Sequence, residues 1–168
     1  MLRLRPFRAQ DESAAIAAHA ALEAEDFPFL LGYEVGEPWV DFVSRREANR
    51  HGQEVPERWV PNTFLAAVVD GQLVGRLSLR HELNEWLSVY GGHIGYGVVP
   101  WQRRLGYATE ILRQGLVLAR SVGIEDVLVV CDDDNVASAH VIERCGGVLE
   151  STIDSEDGQR LIRRYWIH

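Results

Sequence analysis

Two side-chain periods meet across Pro100, and the join between them constrains the fold more than any other feature of the chain. Residues Gly92-His93-Ile94-Gly95-Tyr96-Gly97-Val98-Val99 read as a buried strand, in which Gly95 and Gly97 predict either a bulge or a close approach to the backbone. Pro100 has no amide to donate and ends the ladder. From Ala108 the apolar positions are Ala108, Ile111, Leu112, Gly115, Leu116, Ala119 and Val122, which is helical spacing, and Gly123 supplies the stop. A strand therefore passes into a helix through the short basic segment 100–107.

Such a join places a helix amino end beside a strand carboxyl end. The first amides of a helix lack intrahelical acceptors and sit at the positive end of its dipole, so they suit phosphate. Gly106 and Ala108 leave room for a ligand, and Arg103 and Arg104 add charge. The pattern lacks the three glycines of a dinucleotide fingerprint and the lysine of a nucleotide P-loop.

The 168 residues are enough for one domain with a substantial core. No apolar run is long enough to span a bilayer, and Met1 to Arg5 lacks a signal-peptide core, so the expected location is cytoplasmic, with no membrane partner. Cys131 and Cys145 fall on different predicted elements without metal-ligand spacing, which predicts reduced thiols and no metal. A net charge of -8 argues against a nucleic-acid partner. Every Lys or Arg position is arginine, so no lysine is available for Schiff-base chemistry, and anionic ligands must be met by arginine or backbone amides.

Along the rest of the chain, Leu2 to Arg5 predicts a first strand, Asp11 to about Glu25 a helix, and Pro38 to Arg50 a second helix. The irregular, aromatic segment 27–59 predicts either a substrate-side wall or an aromatic mini-core. Phe64–Val69 and Leu73–Arg80 around Asp70-Gly71 predict a hairpin, followed by a polar loop from His81 to about Ser88. Val127–Cys131 predicts a buried strand, Val136–Arg144 a helix capped by Asn135, and residues 148–154 and 159–167 two final strands.

Arg103-x-x-Gly106-x-Ala108, set after such a strand, resembles the acetyl-coenzyme A loop of the GNAT superfamily of N-acetyltransferases. Asn135-x-x-Ser138, followed by Ile142-Glu143-Arg144-x-Gly146, is similar to a second motif of that superfamily, and the predicted element order matches its fold. Segments 93–97 and 141–147 look most like a branch of predicted bacterial acetyltransferases without an assigned substrate. The resemblance implies an α/β (α+β) GNAT fold over residues 1–168 as a single domain. Its mixed, mostly antiparallel sheet would hold about seven strands, with about four helices and a splayed central pair. It implies acetyl-coenzyme A contacts at Val98, Val99, Arg103, Arg104, Leu105, Gly106, Tyr107, Ala108, Thr109, Asn135 and Ser138, and it admits a homodimer. Where related amino-terminal acetyltransferases carry tyrosine seven positions after the asparagine, this chain has Ile142.

The implied reaction is direct attack of a neutral primary amine, of a small molecule or peptide, on the thioester, with a backbone amide near Val98 stabilising the oxyanion. His93 is the candidate base because imidazole titrates near neutrality. His81, Glu82 and Glu85 are alternatives acting through water. Tyr96 is a candidate acid for the departing thiolate, with a packing role as its alternative. Cys131 ends an apolar run with nothing beside it to stabilise a thiolate, which disfavours an acyl carrier. An acyl-coenzyme A sensor, or a partner-binding subunit on the same fold, is the alternative function. The acceptor itself is not legible.

Overall fold

The computed structural model describes all residues from 1 to 168. Sheet A has the order β1-β2-β3-β4, formed by Arg3–Arg5, Asn62–Val69, Gln72–Arg80 and Ile94–Val98, and is antiparallel throughout. Sheet B has the order β5-β7-β6, formed by Val127–Asp132, Leu161–Ile167 and Val148–Asp154. The helices are α1 (Glu12–Glu23), α2 (Trp39–Arg50), α3 (Tyr107–Ser121) and α4 (Val136–Arg144). This is the α/β class expected, with seven strands and four helices in the expected order.

The hairpin turn has Asp70 at φ 49 and Gly71 at φ 84, the paired left-handed residues of a type I′ turn. Sheet A is covered on both faces, because α3 packs on one and α1, α2 and their connection pack on the other. The α3 face buries Leu77, Leu79, Ile94, Ile111, Leu112 and Leu116 in a core shared with β5, β7 and α4. The opposite face buries Phe7, Phe29, Leu30, Trp39, Phe42 and Phe64.

Three local details sharpen the sequence expectations. The register is continuous along Gly95 and Gly97, so neither forms a bulge. Of the two alternatives, close approach applies: a Cβ on Gly97 would lie 2.6 Å from the Phe27 ring, and one on Gly95 would lie 3.3 Å from Arg76 Nη1. The connection from β3 to β4 coils into a π-helical turn over Leu87–Gly91, which buries Leu87. Segment 27–59 divides between the aromatic core and the wall of a cavity. Phe29, Leu30, Trp39 and Phe42 are core, while Leu31 and Trp59 line a cavity.

Candidate active site

The two sheets meet at β4 and β5, and they meet at one end only. His93 N–H donates to Leu128 O at 2.7 Å, and Leu128 N–H donates to His93 Nδ1 at 3.0 Å. Beyond that pinch no ladder joins β4 to β5, so the strands open toward their carboxyl ends. Register determines what faces the opening. Arg80 N–H donates to His93 O and Val99 N–H to Val74 O, so those pairs are the bonded ones on the β3 side. Bonded and non-bonded pairs alternate in an antiparallel ladder. Ile94, Tyr96 and Val98, opposite Leu79, Leu77 and Gly75, therefore turn their amides toward the cleft. The Val98 amide is thus free of β3 and turned into the opening.

At the open end stands the start of α3. Gly106 is its N-cap in the left-handed region, at φ 81 and ψ 0, and no side chain caps the helix. The amides of Arg104, Leu105 and Gly106 make no hydrogen bond within the protein. Gly106 has open space around its missing Cβ, and Arg104, Leu105 and Gly106 are exposed, so this loop can admit a phosphate group. Tyr107, Ala108 and Thr109 form the first turn and are half-buried. Val99 is fully buried, where it packs the strand end into the core. The two arginines differ. Arg103 is engaged by Glu25 through bonds of 2.7 and 3.1 Å, while Arg104, at φ 68, has no partner.

Across the cleft, Asn135 Oδ1 accepts from Ser138 N–H at 3.0 Å and caps α4. That cap positions the Ser138 hydroxyl, which lies 2.9 Å from the Tyr96 hydroxyl. Tyr96 thus reaches from β4 to α4, across the opening. Burial holds its phenol protonated well above the ordinary tyrosine range, an effect the Ser138 bond only partly offsets. A protonated phenol can donate. Cys131 is buried and its thiol is pushed up to about 11, mainly by burial, which does not suit an acyl carrier.

The structure gives His93 a task other than the expected one. Its Nδ1 accepts from Leu128 N–H, so the neutral ring carries its proton on Nε2 and has no free lone pair to receive another. Burial first, and Arg80 second, lower its pKa. His93 is a clasp between the sheets, not a base.

Glu85 is exposed and lines a cavity of about 810 Å³ on the α1–α2 side, with Leu31, Trp59, Ser78, Arg80 and Glu156. His81 is turned aside, with Nε2 2.8 Å from the Thr63 hydroxyl, and Glu82 is exposed but does not line the cavity. Trp86 Nε1 donates to Glu156 at 2.6 Å, joining the β3–β4 connection to the β6–β7 turn beside the cavity. The polar cavity residues Ser78 and Arg80 went unnoticed in the sequence. Their signal is there: polar side chains two apart within an otherwise apolar strand occupy one face. No cluster of three or more His, Cys, Asp or Glu side chains is placed to hold a metal, and no helix is long and apolar enough to cross a membrane.

A family model described as an acetyltransferase (GNAT) domain matches residues 1–148. No curated protein matches the sequence. Among solved structures, an acetyltransferase from Agrobacterium tumefaciens is 22% identical, with a TM-score of 0.66 over 98% of this chain and 90% of its own. RimJ of Mycobacterium smegmatis, solved with a coenzyme A disulfide, is 20% identical, with a TM-score of 0.72 over 99% and 81%. The spermidine N-acetyltransferase of Vibrio cholerae, solved with coenzyme A and spermine, is 16% identical, with a TM-score of 0.70 over 99% and 94%. At these identities the likeness is one of fold.

Proposed function

The chain belongs to the GNAT acetyltransferase family, and from that premise we propose that residues 1–168 form one domain that transfers an acetyl group from acetyl-coenzyme A to a primary amine. The observation that carries this reading is the uncapped start of α3 at the open end of the β4–β5 cleft. In this reading the amides from Arg104 to Ala108 hold the pyrophosphate, with Arg104 as the free cation beside them. Thr109 borders the site, and Asn135 and Ser138 line the opposite wall. Arg103 closes the loop against the end of α1 through Glu25. That pair is exposed, so it contributes little to stability.

When bound, acetyl-coenzyme A supplies an activated thioester. The Val98 amide donates to the oxygen that gains charge, and a fixed dipole there needs no reorganisation as the charge develops. Tyr96 donates its hydroxyl proton toward the sulfur as the thiolate departs, with Ser138 orienting it. Glu85, the acid of the β3–β4 connection that borders the cavity, receives the amine proton through water. A wall at Leu31 and Trp59 positions the acceptor.

A panel of primary amines scored by free-thiol release tests the proposal. Turnover is expected with at least one amine, and Tyr96→Phe and Glu85→Gln should each lower kcat by about a hundredfold while acetyl-coenzyme A affinity holds. Tight binding of acetyl-coenzyme A without thiol release from any amine would identify a sensor instead.

A further inference from the structure

Strand β3 carries Arg76, Ser78 and Arg80 on the face turned toward α1 and α2, opposite the face that buries Leu77 and Leu79. None of Arg46, Arg76 and Arg80 has a carboxylate oxygen within 4.0 Å, whereas seven of the other arginines do. Arg76 is only 3% exposed, and its Nε and Nη1 have no partner at all. Its Nη2 donates to Pro28 O at 3.3 Å, and the guanidinium lies 4.7 Å from the centre of the Phe27 ring. Arg80 Nη1 is held by Gly91 O and Gly92 O at 3.0 and 2.9 Å, and its Nη2 makes no bond within the protein. Ser78, between them, lines the cavity, and its hydroxyl also makes no bond within the protein.

Unpaired buried guanidinium is costly, and removing its charge or supplying an anion relieves that cost. Desolvation, with repulsion from Arg80 and Arg46, lowers Arg76 to about 9, which leaves it cationic at neutral pH. Desolvation alone lowers Arg80 to about 10. Both guanidiniums come together over Gly95. A Cβ there would stand 3.3 Å from Arg76 Nη1 and 3.9 Å from Arg80 Nη1 and Nη2, so the glycine keeps that space free beside the cleft-facing Tyr96. The rim of the same cavity carries the exposed carboxylates Glu57, Glu85 and Glu156. Exposed charges are screened, so the buried cations dominate what the floor selects.

We propose that the acceptor amine also carries an oxyanion, a carboxylate or a phosphonate, which docks on Arg80, Ser78 and Arg76 over Gly95 while its amine faces Glu85. This rests on the transferase reading and narrows its acceptor to zwitterionic amines. A planar guanidinium fork matches either anion through two parallel bonds, and Ser78 adds a third donor.

Matched acceptors test it: β-alanine against β-alaninamide, and 2-aminoethylphosphonate against ethanolamine. The anionic member of at least one pair should have at least tenfold higher kcat/KM, equivalent to about 1.4 kcal/mol, and the favoured pair tells carboxylate from phosphonate. Arg80→Gln and Ser78→Ala should reduce that preference while coenzyme A affinity stays unchanged. Arg76→Met should abolish it while the melting temperature holds or rises, because an unpaired buried charge has been replaced by an apolar chain. A fall in melting temperature with the preference intact would make Arg76 a tether for the Phe27 loop and overturn the assignment, as would equal or reversed preference in the wild type. Side-chain nitrogen resonances of arginine, titrated with acetate and with methylphosphonate against chloride, give a readout independent of turnover. Shifts in Arg80 and Arg76 support the anion site, and their absence overturns it. Absence of thiol release with every acceptor would instead strike the transferase reading.

Discussion

Gly106 combines a left-handed backbone with open space around its missing Cβ. Its φ of 81 is in the region that an L side chain adopts only at a cost of about 1–2 kcal/mol. The space around it is open, so Gly106→Ala adds no clash. We expect calorimetry to show acetyl-coenzyme A binding weakened at least tenfold, or about 1.4 kcal/mol, with the melting temperature lower by roughly 2–8 °C. Unchanged affinity would remove the phosphate role from this loop. His93 yields a pH prediction. Its pKa lies below the ordinary 6.5, so as pH falls through 6.5 the unfolded chain takes up a proton before the folded one does. Native stability is therefore full above 6.5 and declines below it. His93→Gln, whose amide oxygen can still accept from Leu128, should make the fall in melting temperature between about pH 7.5 and 5.5 shallower, with His81, also depressed by burial, accounting for part of the remainder. Its kcat should stay well above the hundredfold loss that removal of a base produces. Residue type alone made His93 look like a base, because its partner Leu128 lies 35 positions away and across the seam of two sheets. Arg103 misleads for the same reason, since Glu25 is 78 positions distant.

At the scale of elements, α3 and the Asp70-Gly71 hairpin are legible because each rests on a long period or on local turn chemistry. The coil of residues 87–91 is not, because a single turn offers too few residues to show a period and is held from outside. Arg164 donates to Ser88 O and Val89 O, both at 2.6 Å. The polar face of β3, of which Ser78 and Arg80 line the cavity, lies between these cases. Arg76, Ser78 and Arg80 show period two plainly, but valine and leucine dominate β3 and make it read as apolar on both faces. Element α4 matters through its first turn, where Asn135 caps the helix and so places Ser138 against Tyr96. Asn135→Ala should cost about 1 kcal/mol in denaturant unfolding, and it should lower kcat along with the Tyr96–Ser138 contact. A loss of stability with kcat intact would separate the cap from the chemistry.

The whole molecule depends on the pinch between its sheets. Gly92 adopts φ 67, and a Cβ there would stand 2.5 Å from Leu128 O, which belongs to the backbone and cannot swing aside. Gly92→Ala therefore combines left-handed strain with a main-chain clash, and we expect it to cost more than about 2 kcal/mol. Acetyl-coenzyme A affinity should fall with it, whereas wild-type stability in this variant would show that the sheets do not rely on this contact. The overall order of elements was readable from periodicity, but the one-ended union of β4 and β5 was visible only through resemblance, because no local pattern says where two sheets stop pairing.

That union also bears on how the chain acquires its site. Sheet A uses strands from the first 98 residues and sheet B strands from residue 127 onward, so each can pair largely within its own stretch of chain. The cleft belongs to neither stretch. It exists only once the halves have docked, and α3, which connects them in sequence and packs on β3, β4 and α4, is brought to its mouth by that docking. An injury to docking would then first appear as a protein with its strands and helices intact and its capacity for coenzyme A gone.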